Sequence, residues 1–123
     1  MKKILVVDDA GTVRMYHKDI LKEIGYEVDE AVNGVEAIEK ALQTDYDLFI
    51  VDINMPKLDG YGFVNQLRVS EAKQSPVIMV STESEQKDID RSIVVGANFY
   101  IIKPVKPDRL KKVARLLLGD ELC

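Results

Sequence analysis

The chain has 123 residues, 46% of them hydrophobic and 31% charged, which is ordinary for one soluble domain and too short for two cores. Seventeen basic against twenty-one acidic residues leave a formal charge of −4, which argues against a general nucleic-acid binder. No apolar run approaches the ~20 residues that cross a bilayer, so no membrane association is expected. Met1-Lys2-Lys3-Ile4 leads straight into a strand without the apolar stretch of a signal peptide. The lone cysteine, Cys123, has no partner in the chain, and a cytoplasmic location is expected.

Strands and helices alternate along the whole chain. Residues 3 to 8 read as a buried strand. A helix follows from about Thr12 to Gly25, with Val13, Tyr16, Ile20, Leu21 and Ile24 as its apolar stripe and His17 at the edge of that stripe, partly exposed. Glu27 to Ala31 is more polar and reads as an edge strand. Asn33-Gly34-Val35-Glu36 has the form of a capped helix start, and the second helix should turn Val35, Ile38, Ala41 and Leu42 inward. The third strand runs to about Val51, and the third helix carries Phe63, Val64 and Leu67. Pro76 to Val80 forms the fourth strand. Its helix begins near Ser84 and carries Ile89, Ile93 and Val94 to a stop at Gly96. Phe99 to Ile102 is the fifth strand. The last helix starts near Pro107 and buries Leu110, Val113, Ala114 and Leu117. Strict alternation predicts an α/β fold, a doubly wound (βα)5 parallel sheet with right-handed crossovers. For five strands wound this way the expected order is the flavodoxin-like 2-1-3-4-5, by analogy with known folds of that type.

Three of these strands end in charge. Ile4-Leu5-Val6-Val7 runs into Asp8-Asp9, Leu48-Phe49-Ile50-Val51 into Asp52, and Tyr100-Ile101-Ile102 into Lys103. A near-continuous β-branched run is the mark of a strand buried on both faces, so each charge marks where its strand emerges. Ligands of open parallel sheets bind at that carboxyl edge. Two unit charges about 4 Å apart repel by roughly 4 kcal/mol at an effective dielectric of about 20. Three acids together therefore call for a retained proton or a cation, and an oxygen-only, water-accessible set suits Mg2+. Asp52 can also be a nucleophile toward phosphorus, with Lys103 and the Ser81 hydroxyl neutralising the phosphoryl oxygens.

These motifs, with Val51-Asp52-Ile53-Asn54-Met55-Pro56, Asp59-Gly60, Val80-Ser81, Gly96-Ala97 and Lys103-Pro104, resemble the response-regulator receiver domains of two-component signalling. The resemblance spans Lys3 to about Leu118 and implies one CheY-like phosphoacceptor domain over residues 1–123, with no effector domain attached. It implies that Asp52 accepts a phosphoryl group from a sensor histidine kinase or a histidine phosphotransfer protein. Asp9, Asp52 and the Asn54 backbone carbonyl would hold Mg2+ directly, and Asp8 would help through water. Ser81 and Lys103 would stabilise the phosphoryl group, and the Lys103–Pro104 bond would be cis. Ser81 and Tyr100 would act as the switch, altering the surface of helix four, strand five and helix five for a downstream protein. Lys106, Lys111, Lys112 and Arg115 are the cations expected on or near that surface. Asn54 and Glu83 would tune dephosphorylation, and Thr82 is bulkier than the small residue frequent beside the hydroxyl position. The kinase side would dock near helix one, around Arg14, Met15 and Lys18.

The resemblance implies a signalling protein, not an enzyme, which assists only its own phosphorylation and dephosphorylation. It would be a monomer, or a dimer once phosphorylated. Tyr100, Asn54 and Glu83 match the chemotaxis type; a phosphorelay intermediate is the alternative. A Mg2+-dependent aspartate-nucleophile phosphatase fits less well, because Asp8 and Asp9 are adjacent where such enzymes separate two aspartates by one residue. A dinucleotide site would need a glycine-rich turn where Asp8-Asp9-Ala10-Gly11 stands.

Overall fold

A computed structural model of the chain describes residues 1–120; Cys123 lies outside the described residues. Five strands alternate with five helices: β1 (Lys3–Val7), α1 (Gly11–Glu23), β2 (Glu27–Ala31), α2 (Gly34–Gln43) and β3 (Leu48–Asp52), then α3 (Gly60–Val69), β4 (Val77–Ser81), α4 (Gln86–Val95), β5 (Phe99–Ile102) and α5 (Pro107–Leu118). The strands form one sheet of order β2-β1-β3-β4-β5, every pair parallel. That is the expected flavodoxin-like order.

Two apolar clusters cover the sheet's faces. Ile4, Val6, Ile50, Ile78 and Val80 pack with Ile20 and Leu21 of α1 and Leu110, Val113 and Ala114 of α5. Leu5, Val7, Phe49, Val51 and Met79 pack on the other face with Ala37 and Ala41 of α2 and Phe63, Val64 and Leu67 of α3. Alternate residues of each strand serve opposite clusters, which is why these strands read as unbroken apolar runs. Phe49 anchors its face through edge-on contacts with Tyr46 and Phe63, at centroid distances of 5.8 and 5.6 Å.

The helix ends follow their caps. Asn33 accepts from the Glu36 amide at 2.8 Å, and the Glu36 carboxylate accepts from the Val32 amide at 3.2 Å, as the sequence of that corner predicts. Asp59 caps α3 by accepting from the Gly62 amide at 2.8 Å. Gly60 is forced by packing: a Cβ there would lie 2.7 Å from Ile53 Cα and 2.8 Å from the Asp52 carbonyl oxygen.

Two helix faces differ from the expectation, and a third leaves most of its apolar residues outside. In α1, His17 is buried at 3% exposure while Tyr16 is 44% exposed. The inward spacing is thus 13, 17, 20, 21 and 24, a regular helical stripe, and Tyr16 stands outside it because its hydroxyl donates to the Val105 carbonyl. In α2, Gly34, Ala37 and Ala41 face inward, while Val35 and Leu42 are exposed. The reason is a close approach: the Gly34 amide donates to the Leu58 carbonyl at 3.2 Å, so only a small-residue face fits against the loop before α3. In α4, Ser92 alone is buried, Ile89 is half-buried, and Ile93 and Val94 are exposed. The Ser92 hydroxyl donates back to the Asp88 carbonyl at 3.1 Å, which lets a polar residue occupy the inner face.

Candidate functional site

Strand register does most of the positioning. Val7 pairs with Val51, so Asp8 and Asp52 stand at neighbouring places on one sheet edge. Asp52 pairs with Val80, and Ser81 with Ile102, so Ser81 and Lys103 emerge at the same edge. One carboxylate oxygen from each of Asp8, Asp9 and Asp52 lies within 4.8 Å of the others. Asp8 and Asp52 are buried, and Asp9 is exposed. The Lys103 ammonium bonds both buried acids at once, 3.2 Å from Asp8 Oδ2 and 3.2 Å from Asp52 Oδ1. The Lys103–Pro104 bond is cis, as expected.

Asp8 is held from behind. Asp8 Oδ1 accepts from the Ala10 amide at 2.9 Å, and the Asp8 amide donates to the Ala31 carbonyl at 3.1 Å. Arg14 of α1 reaches back to the Asp8 carbonyl at 2.8 Å and pairs with Glu30 at 3.2 Å. The sequence reading placed Arg14 on a docking face and missed this grip; its only trace there is an arginine in the first turns of the helix after Asp8. Lys18 also pairs with Glu30, at 3.2 Å. Met15, between them, is 62% exposed, as expected of an outward residue.

Electrostatics follow from this packing. Burial, then the charge of Asp8, push the Asp52 carboxyl above the ordinary aspartate range, and Lys103 only partly offsets them. Burial works against the Lys103 ammonium, but Asp52 and Asp8 outweigh it and hold its pKa above the usual lysine value. One ammonium therefore leaves the cluster with excess negative charge.

The donor set fits a small hard cation. It consists of oxygens only, from three carboxylates on two strand ends, with one member open to water. The Asn54 carbonyl accepts no hydrogen bond from the described residues.

Ser81, Glu83 and Tyr100 form a linked chain. The Glu83 amide donates to Ser81 Oγ at 3.1 Å, and the Tyr100 hydroxyl donates to the Glu83 carbonyl at 2.8 Å. Ser81 is fully buried, and Tyr100 is half-buried against the cluster containing Met79 and Val95. Burial pushes the Tyr100 hydroxyl pKa up.

Beyond Tyr100, a groove of about 570 Å³ runs between α4 and β5, with Ile89, Ile93, Phe99 and Ile102 on its walls and Lys106 and Arg109 beside it. Lys111, expected near this face, instead pairs with Glu23 of α1 at 3.3 Å. Arg109, which the sequence reading passed over, lies across the Phe99 ring at 5.3 Å.

No helix among the described residues is long and apolar enough to cross a membrane. The profile of a family described as response regulator receiver domain matches residues 4–115. The chain is 41% identical over 120 residues to chemotaxis protein CheY1 of Helicobacter pylori, covering 95% of this chain and 97% of that protein. It superposes on chemotaxis protein CheY4 of Vibrio cholerae with a TM-score of 0.89 and 36% identity, over 95% of this chain and 98% of the other. The receiver domain of sensor histidine kinase PA1611 of Pseudomonas aeruginosa, which has magnesium ion coordinated in its active site cleft, matches with a TM-score of 0.88 and 28% identity. That match covers 97% of this chain and 98% of the other.

Proposed function

The chain belongs to the response regulator receiver domain family, and from that premise we propose that Asp52 is its phosphoacceptor and that the phosphoryl group sets the state of the α4–β5–α5 surface. The carrying observation is the grouping of Asp8, Asp9 and Asp52 within 4.8 Å, with Lys103 bonded to two of them. A carboxylate oxygen of Asp52 attacks the phosphorus of a phosphohistidine; the new O–P bond forms as the N–P bond breaks, and the imidazole keeps the electron pair. Mg2+, held by Asp9, Asp52 and the Asn54 carbonyl with Asp8 behind, would neutralise the phosphoryl oxygens. The magnesium in the related PA1611 receiver supports that choice of ion.

Lys103 supplies the fixed positive charge. It can move from Asp52 to the incoming phosphoryl oxygens while keeping its bond to Asp8. Ser81 places a hydroxyl at the end of the neighbouring strand, one residue beyond Val80, the partner of Asp52. Its turn toward the phosphoryl group would break the bond from the Glu83 amide, and with it the chain that ends at Tyr100. Tyr100 lines the α4–β5 groove, so a local charge change becomes a change of surface for a downstream protein. Asn54 and Glu83 would tune the lifetime of the phosphoryl group. Similarity to chemotaxis proteins over nearly the full chain supports a chemotaxis-type output over a relay.

Incubation with acetyl phosphate and Mg2+ should add the mass of one phosphoryl group, and Asp52→Asn should abolish it. An unchanged mass, or a gain that survives Asp52→Asn, would overturn the assignment. Partners retained from a lysate only in beryllofluoride, and released by Ile93→Asp, would identify the output surface.

A further inference from the structure

Two of the three clustered acids are fixed through their own side chains. Asp8 Oδ1 accepts from the Ala10 amide and Oδ2 from Lys103, and Asp52 Oδ1 meets the same ammonium. The third acid lacks such support. Asp9 is exposed, and the next amide along the chain, that of Ala10, goes to Asp8 instead. No described residue holds the Asp9 carboxylate by a hydrogen bond or an ion pair, yet one of its oxygens stands within 4.8 Å of the other two acids. Its place is therefore set by the main chain of the turn from Asp8 to Ala10.

That turn opens α1 at Ala10 with no side-chain cap and no acidic residue in the first helical turn, so the common device for fixing a helix entrance is missing. Arg14 stands in for it. Its amide donates to the Ala10 carbonyl at 3.0 Å, and its Nη1 donates to the Asp8 carbonyl at 2.8 Å. One residue thus spans both ends of the turn. A Cβ on Gly11 would lie 3.5 Å from Nη2, so the guanidinium runs across the start of the helix. Glu30 of β2 holds Nε at 3.2 Å, and the Arg14 side chain is only 17% exposed. The Asp8 amide, bonded to the Ala31 carbonyl at 3.1 Å, ties the same strand to the turn.

Charge alone would make this arginine a handicap, because a guanidinium beside a cation site repels the cation. Its ion pair is with Glu30 and with no member of the cluster, so it takes no carboxylate away from an ion. We propose that Arg14, oriented by Glu30, is a positioning residue: it fixes the turn from Asp8 to Ala10 and so aims the Asp9 carboxylate at Mg2+. This role rests on the reading of the cluster as a Mg2+ site.

The test is a titration of Mg2+ into the metal-free full chain, followed by amide NMR shifts. Arg14→Met should raise the Mg2+ Kd about tenfold, the scale on which groups behind metal ligands act. Arg14→Lys keeps the charge but loses the planar fork, and should also weaken binding. Charge alone predicts the opposite pattern: tighter binding in Arg14→Met and no change in Arg14→Lys. Lys18→Met is the control, because Lys18 pairs with the same Glu30 carboxylate at 3.2 Å and makes no bond to the turn. Its Kd should stay within about twofold of the parent value. Without metal, the Asp9 and Ala10 amide signals should shift in Arg14→Met and stay in place in Lys18→Met. Equal or tighter Mg2+ binding in Arg14→Met would overturn the role of Arg14 alone. A parent chain with no saturable Mg2+ shift would overturn the metal reading itself, and this role with it.

Discussion

Asp52 is the residue at which folding and the proposed function pull in opposite directions. Its pKa is raised by burial and by Asp8, so the folded protein binds the Asp52 proton more tightly than the unfolded chain does. Its contribution to stability is therefore fully present below the unfolded pKa and is lost as pH rises through the folded value. At neutral pH without Mg2+, the ionised carboxylate is a cost. Asp52→Asn should then raise Tm by roughly 2–6 °C, for a gain of about 1 kcal/mol. That gain should shrink as the pH falls and Asp52 takes up its proton. Thermal melts of both proteins from pH 7 down to pH 4, in chelator, check the sign. A lower Tm for the variant at pH 7 would mean that Lys103 does more for Asp52 than Asp8 and burial do against it.

At the scale of elements, the site depends on where α3 begins as much as on where β3 ends. The Gly60 amide donates to the Ile53 carbonyl at 2.8 Å, and the Gly60 Cα faces the backbone of Asp52 and Ile53. A methyl group there cannot be absorbed by a side-chain rotation, because what it meets is main chain. Gly60→Ala should cost about 2–3 kcal/mol, near the upper part of the overpacking range. It should also slow phosphorylation by acetyl phosphate, because relief has to come from moving the strand end that carries Asp52. Denaturant melts and a phosphorylation time course measure the two effects separately. The same scale accounts for the misplaced helix faces. Periodicity locates an apolar stripe, but α2 is turned by the contact of Gly34 with Leu58, and α4 leaves Ile93 and Val94 in solvent. Tertiary contacts of that kind have no local signature.

For the whole molecule, the proposed Mg2+ site would make stability depend on a divalent ion. Mg2+ that binds the folded state alone stabilises it by about 2.7 kcal/mol at a concentration about 100 times its Kd. A Tm that climbs with MgCl2, but not with NaCl of equal ionic strength, is expected. The climb should be much reduced in Asp9→Asn, whose position is exposed and whose loss does not disturb the core. Equal responses to both salts would reduce the effect to screening of the chain's net charge of −4.

The order of elements, the parallel sheet and the gathering of Asp8, Asp9, Asp52 and Lys103 were legible in the chain itself. Buried parallel strands must be apolar on both faces, so the first charge after each run marks the sheet edge, and sheet edges of one sense lie together. What only the tertiary structure decided are the interactions that cross elements without a periodic trace. Arg14 grips the Asp8 carbonyl, Tyr16 ties α1 to the loop of Val105, His17 takes the buried place, and Lys111 turns to Glu23. A long polar side chain can satisfy its bonds with many partners of similar energy, so its sequence position says little about its choice; the packing of the elements around it selects one.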